Sequence, residues 1–227
     1  MAGRKNFVAG EILTAADVNS FLMDQSVMVF DDSSARGSAI PTPSEGMVTY
    51  LKSDDQVTVF DGAAFKPVGG LVTVKHVLKT NTFSASVESG DNVAVTDLSI
   101  SHAMQDANNK LIISAFFGAA SNNVNRADVS LGIHDGTGLI AIGNADGSRS
   151  RITAGGFQGG SDGLTIEQPS VTFVHEPGDT SSRTYTARII NTRTSTATLF
   201  VNRSNNDPNN VEGVRAVSSL VIQEVAV

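Results

Sequence analysis

Four histidines are the side chains here best suited to metal binding or proton transfer, and their spacing argues against both. His76, His102, His134 and His175 never fall two or four residues apart, and no H-E-x-x-H occurs. No pair therefore presents two imidazoles on one strand or helix face. Three of them, His76, His102 and His134, lie near strand edges or alternate with apolar neighbours, as structural histidines do. A metal site built across adjacent strands needs clustered His and Glu; His175-Glu176 is the nearest approach. Serine is common, but a triad needs a base beside it, and nothing selects one. Glu167, Glu176, Glu212 and Glu224 could supply the carboxylate pair of a glycan hydrolase, yet they are far apart in sequence. Gly155-Gly156-Phe157-Gln158-Gly159-Gly160 lacks the Lys-Ser/Thr of a phosphate loop and reads as a surface loop.

Two Asx-rich segments, Asn144–Ser148 and Asn205–Asn210, could offer oxygens to Ca²⁺. They lack EF-hand spacing, and β-turns explain them more simply. Asn202-Arg203-Ser204 matches a glycosylation sequon. Arg149 and Arg151 share a strand phase and could meet an anionic glycan or a neighbouring subunit's carboxylate; an exposed pair beside a turn is the simpler reading. No catalytic residue, metal ligand or cofactor is expected.

Composition narrows the class. The 227 residues carry a net charge of −7, so counterion release offers no route to nucleic-acid binding. Cysteine and tryptophan are absent and aromatics are 6%, which predicts an aliphatic core without disulfides. No apolar stretch approaches a membrane span, and no apolar run follows the basic start Met1–Phe7, so neither membrane insertion nor a secretory signal is expected.

The elements change character near Gly69-Gly70. Before it, Thr14-Ala-Ala-Asp17 is a helix start, with Val18, Phe21 and Leu22 at helical spacing; a helix over about 15–25 follows. An extended Pro/Ser connector is expected over 31–46, and a three-stranded meander over 47–68, turning at Ser53–Gln56 and Asp61-Gly62. After Gly70 come only strands. Phe83–Val87 and Val129–His134 alternate as half-buried strands; Lys110–Phe117 is apolar on both phases and should be centrally placed or covered on both sides. Asp135-Gly136-Thr137-Gly138 reads as a hairpin turn, and Ser218–Val227 as a closing strand. Eight to ten strands over 71–227 predict a jelly-roll-like antiparallel β-sandwich. The chain is therefore mainly β: an anchor (1–70) of short helix plus β-meander, then a sandwich knob (71–227).

Phe7-Val-Ala-Gly-Glu-Ile-Leu-Thr-Ala-Ala-Asp-Val-Asn19 resembles a segment near the start of many tailed-bacteriophage structural proteins. Gly46–Leu51 and Val57–Gly62 are similar to the hairpin that follows it there. Ile142–Arg151, Thr198–Ser204 and Ser218–Val225 resemble stretches of fibre-like or minor structural proteins. The resemblance implies a virion component assembled in the host cytoplasm and exposed on the particle. It implies a homotrimer docked on other virion proteins, with host-surface glycan as a further partner. Val18, Phe21 and Leu22 are the expected anchoring or trimer contacts. No shaft repeat or sustained heptad is present, so a short fibre, neck or head appendage fits better than a long fibre. A decoration protein that stabilises the particle is the alternative; a glycan-degrading tail enzyme is the more distant one.

Overall fold

The computed structural model describes residues 8–18, 26–121, 129–155 and 163–226. The chain divides into two compact units, Met1–Gly70 and Leu71–Val227.

The first unit opens with α1 (Ala15–Val18). Thr14 Oγ1 accepts the Asp17 N–H at 3.1 Å, and the Thr14 N–H donates back to Asp17 Oδ2 at 3.2 Å. This reciprocal cap satisfies donors that a helix N-terminus otherwise leaves free. The rest of the expected helix, residues 19–25, lies outside the described residues. Then come β1 (Met28–Phe30), α2 (Ser33–Ala39), β2 (Val48–Leu51), β3 (Gln56–Phe60) and β4 (Phe65–Pro67). The sheet runs β1-β2-β3-β4. The meander is β2–β4; β1 is an unanticipated fourth strand, parallel to β2.

The 31–46 connector is not extended throughout, because α2 occupies its first half. Pro41 and Pro43 restrict themselves and their preceding residues, not Ser33–Ala39. Asp32 caps α2, its side chain accepting the Ala35 N–H at 2.8 Å, and Ile40 before Pro41 ends it at φ −124. A parallel β1–β2 pair requires a crossover, and α2 lies within it. Arg36 of α2 donates to Thr58 Oγ1 at 3.0 Å and lies 3.9 Å over the Phe65 ring, fastening α2 to the meander.

The second unit contains β5 (Leu71–Lys79), β6 (Phe83–Val87), β7 (Asn92–His102), β8 (Lys110–Phe116), β9 (Ala119–Ser121), β10 (Val129–His134), β11 (Leu139–Ile140), β12 (Ala154–Gly155), β13 (Ser170–His175), β14 (Arg183–Asn191), β15 (Ala197–Val201) and β16 (Ser218–Val225). One sheet has the order β13-β8-β16-β5. A second runs β11-β10-β14-β7, with β12 also on β10, and a third ladder runs β6-β15-β9. The last two are continuous in register. Val129↔Asn191 and Ser121↔Leu199 lie eight residues apart on each strand, so β9 and β10 follow one line against β14 and β15. Likewise β6 and β7 face β15 and β14 as one bent strand. Counted as bent strands, the order is that of a jelly roll: four strands facing four, successive strands alternating between sheets except at β10–β11.

The bends need internal hydrogen-bond partners, and two asparagines supply them. Asn191 is fully buried; its Nδ2 donates to the carbonyls of Val87 (2.8 Å), Glu88 (3.1 Å) and Ser195 (2.9 Å), while its Oδ1 accepts from the Arg193 N–H at 2.9 Å. Asn202 is also fully buried. Its Nδ2 donates to Lys79 O (2.9 Å) and Asn81 O (3.0 Å), and its Oδ1 accepts from Ser218 Oγ at 2.6 Å. The sequon asparagine is thus consumed inside the fold and unavailable to a glycosyl transferase in the folded chain.

The core between the sheets is aliphatic, built on Leu98, Leu111, Ile113, Leu131, Ile133, Ile189, Leu199, Leu220 and Ile222, with Phe117 and Tyr185 the fully buried aromatics. One strand differs from its sequence pattern. β10 is buried on both faces rather than one, because the Ile190 and Leu139 side chains pack over Gly132 on its outer side. At its edge the Thr153 N–H donates to Leu131 O at 3.0 Å and Thr153 Oγ1 accepts the Ile133 N–H at 3.1 Å. β8 is central in its sheet, as expected: Leu111, Ile113 and Ala115 face the core, while Ile112, Ser114 and Phe116 face outward and are half-buried.

Replacing Asn191 by Asp keeps the shape but turns an oxygen toward three carbonyls. Urea unfolding should show Asn191→Asp losing more than Asn191→Ala, with the latter costing about 2–3 kcal/mol. Equal losses would mean that the amide hydrogens are not what holds the bend.

Candidate functional site

Two clusters of titratable groups form inside the second unit. The first gathers around the β10–β11 turn. Asp135 Oδ1 accepts from Thr137 Oγ1 (2.6 Å), the Thr137 N–H (2.9 Å) and the Gly138 N–H (3.1 Å). Its Oδ2 meets Arg183 Nη1 at 3.3 Å. The other guanidinium nitrogen, Arg183 Nη2, donates to Asp179 Oδ2 at 2.6 Å. His175 lies edge-on to Tyr185, ring centroids 5.8 Å apart. Burial pushes the Asp135 carboxyl up, but the Thr137 and Gly138 donors and Arg183 outweigh it and hold it down at about 2. Burial raises the Tyr185 phenol to about 12 and lowers His175. This is a carboxylate saturated by donors beside a phenol that stays protonated. It can brace a turn, but it is a poor base and a poor nucleophile.

The second cluster surrounds Glu224, which is fully buried in β16. His102 Nε2 lies 2.8 Å from Oε2; the Gln105 N–H (2.8 Å) and Asn109 Nδ2 (2.7 Å) donate to Oε1. The carboxylate ties the end of β7 and the 103–109 loop to the closing strand. Of the four glutamates named as acid–base candidates, Glu224 is the buried one, and its acceptor sites are occupied. Glu176 is ion-paired with Lys110 at 2.8 Å on the surface.

The arginine pair lies in a loop rather than on a strand. Arg149 is ion-paired with Asp146 at 2.7 Å, and Arg151 Nε donates to the Gly143 carbonyl at 2.6 Å. Each is held locally and they form no joint anion clamp, because the loop spends both side chains on closing itself. In the Asn205–Asn210 segment, Asp207 lies between Arg203 (3.4 Å) and Arg215 (3.0 Å), two cations that repel a metal ion. Among the described residues no group of three or more His, Asp or Glu could hold a metal, and no hydrogen bond joins a histidine to a serine or threonine hydroxyl.

Of the expected anchoring residues, Val18 ends α1 half-buried, and Phe21 and Leu22 lie outside the described residues. The preceding segment exposes apolar side chains: Ile12 is 85% exposed and Val8 70%. The expectation that no nucleophile elbow is present was wrong at the level of sequence: Gly159-Gly160-Ser161-Asp162-Gly163 has the G-x-S-x-G spacing. Residues 159–162 lie outside the described residues, and the described part of the second unit holds no helix to follow such an elbow. Both internal clusters were also missed. Their members are 48 (Asp135 to Arg183) and 122 (His102 to Glu224) residues apart, so no local spacing could signal them.

One surface stands out. The outward side of sheet β13-β8-β16-β5 carries a shallow groove of about 300 Å³ lined by Phe116, Val171, Val221 and the serines and threonine between them. Ser114 Oγ and Thr172 Oγ1 are hydrogen-bonded at 2.9 Å across it. No described helix is long and apolar enough to cross a membrane.

By strand order the second unit is a jelly-roll module whose buried carboxylates are engaged internally. No family model matches the chain, and no curated protein matches it. Among solved structures it is similar to one of infectious bursal disease virus, Gt strain, at 14% identity and TM-score 0.37, over 87% of this chain and 54% of that one. It is similar also to the VP2 subviral particle of that virus, at 11% identity and TM-score 0.34, over 75% of this chain and 44% of that one. The chain spans about half the length of these structures. The jelly-roll assignment rests on strand order and register alone.

The depressed Asp135 carboxyl contributes stability that is present above its unfolded value, near 4, and is lost as pH falls toward 2. Asp135→Asn should therefore lower stability at neutral pH by about 2 kcal/mol. The gap between variant and wild type should close between about pH 4 and pH 2. A gap that persists unchanged at pH 2, followed by thermal melting, would show that the carboxylate's charge is irrelevant.

Proposed function

We propose that this chain is a non-enzymatic structural protein of a tailed-bacteriophage particle. Residues 1–70 dock on other virion proteins, and 71–227 form a jelly-roll knob presented outward, as a homotrimeric short fibre or appendage. The observation that carries the reading is the chemistry of the knob's interior. Among the described residues its two buried carboxylates, Asp135 and Glu224, are saturated by internal donors, which leaves the surface as the working part. The resemblance of Phe7–Asn19 to phage structural proteins supplies the particle type. The exposed Val8 and Ile12, next to the capped α1, supply an apolar segment that gains by docking. Host-surface glycan is the proposed ligand of the loops at the knob's ends. Arg149 is already ion-paired, which makes it a poor first contact for an anionic sugar.

The test is incorporation into particles that lack the wild-type chain. Ile12→Asp and Phe21→Asp should abolish incorporation, and Ile12→Asp should leave the melting temperature of the purified chain within a degree or two, as exposed substitutions do. Normal incorporation of both would overturn the docking role. Incorporation without any binding of the purified protein to host cells, together with particles that lose stability when the chain is absent, would favour a decoration protein over a receptor-binding appendage.

A further inference from the structure

The two outward faces of the jelly roll differ in chemistry. On the β7–β14 side, Ser99, Ser101, Thr184, Thr186 and Arg188 face out, a hydrated surface. On the β13-β8-β16-β5 side, the register places three rows across four strands. Leu78, Ser219, Phe116 and Ser170 form the first; His76, Val221, Ser114 and Thr172 the second; Val74, Gln223, Ile112 and Val174 the third. Leu78 is 54% exposed, Val74 51% and Val174 57%. Exposed apolar side chains on both edge strands of one face, with half-buried Ile112, Phe116 and Val221 between them, mark a contact surface rather than a hydrated one.

Charge selects the occupant. The whole chain carries −7, so most of its surface repels a like copy. These twelve positions hold no carboxylate and no lysine or arginine, and His76 is their sole ionisable side chain. Beyond the rows, Lys110 and Glu176 neutralise each other at 2.8 Å. A charged partner would find nothing here to steer it, whereas a second acidic copy can approach without juxtaposing carboxylates. The polar positions are hydroxyls and an amide, groups that donate and accept, so this surface can hydrogen-bond to its own equivalent. Four strands about 4.8 Å apart and a seven-residue β8 give a footprint of roughly 20 by 23 Å. That is about half of the roughly 800 Å² each partner gives a standard interface, so the flanking loops must complete it.

We infer that the outward face of β13, β8, β16 and β5 is the self-association surface of this chain, packed about the axis of its homo-oligomer against the same face of other copies. This rests on the oligomeric part of the proposed function and assigns it to a surface of the second unit. The full-length chain and its Val221→Arg and Val174→Arg variants would be compared by light scattering, with Ser99→Arg on the opposite face as control and circular dichroism as the check on folding. The expected result is an oligomeric wild type and control, with both face variants reduced to single-chain mass. An oligomeric wild type whose face variants stay oligomeric overturns this assignment and leaves the oligomer standing. A monomeric wild type overturns both. Because the chain has no cysteine, Val221→Cys offers a near-isosteric second route should arginine prevent folding. Mild oxidation should link Val221→Cys chains into disulfide dimers and leave Ser99→Cys chains unlinked, and the reverse pattern would overturn the assignment.

Discussion

The second unit depends on a constraint of hydrogen-bond accounting. Its strands are too long to stay in one sheet plane, so they bend, and each bend strands backbone carbonyls inside the protein. A buried carbonyl without a donor costs on the order of 1–3 kcal/mol. Asn191 answers three of them at the bend between β6 and β7 and between β14 and β15. Asn202 does the same where β5 turns into β6, and its accepted bond from Ser218 starts the closing strand β16. The primary amide suits this task because its two hydrogens donate while its oxygen takes a backbone or hydroxyl donor. The continuous register through the bends then follows.

The ionisable groups obey the same economy. Asp135 spends its acceptor capacity on its own turn and on Arg183, and Glu224 spends its capacity on three elements that meet at the end of β7. Such carboxylates specify geometry and are unavailable for acid–base work. With the interior committed this way, partner recognition falls to surfaces. The outward rows of β13-β8-β16-β5 are a surface without carboxylate, lysine or arginine and with marked apolar exposure. The apolar segment around Ile12 is the corresponding feature of the first unit.

Much of the architecture was legible from local patterns. Alternation marked β6, Asp135-Gly136 marked the hairpin, and Thr14 with Asp17 marked the cap, because each depends on residues within a few positions of one another. The connector failed for an instructive reason. Two prolines drew attention away from Ser33–Ala39, which they do not constrain and which Asp32 caps as a helix. β10 failed differently: its polar phase, Ser130 and Gly132, looks solvated, yet the side chains of Ile190 and Leu139 close over it.

By itself the sequence determined the β class, the aliphatic core and the change of character at Gly70, since these follow from composition and short-range periodicity. It also determined that the chain forms no disulfide of its own, since a cysteine count needs no coordinates. Tertiary structure alone decided which polar residues are interior. Asn202 reads as a sequon and is a buried brace, and Glu224 reads as one of four scattered carboxylates and is fully buried. Burial depends on which strands become neighbours, and that depends on contacts a hundred residues apart that leave no trace in local spacing.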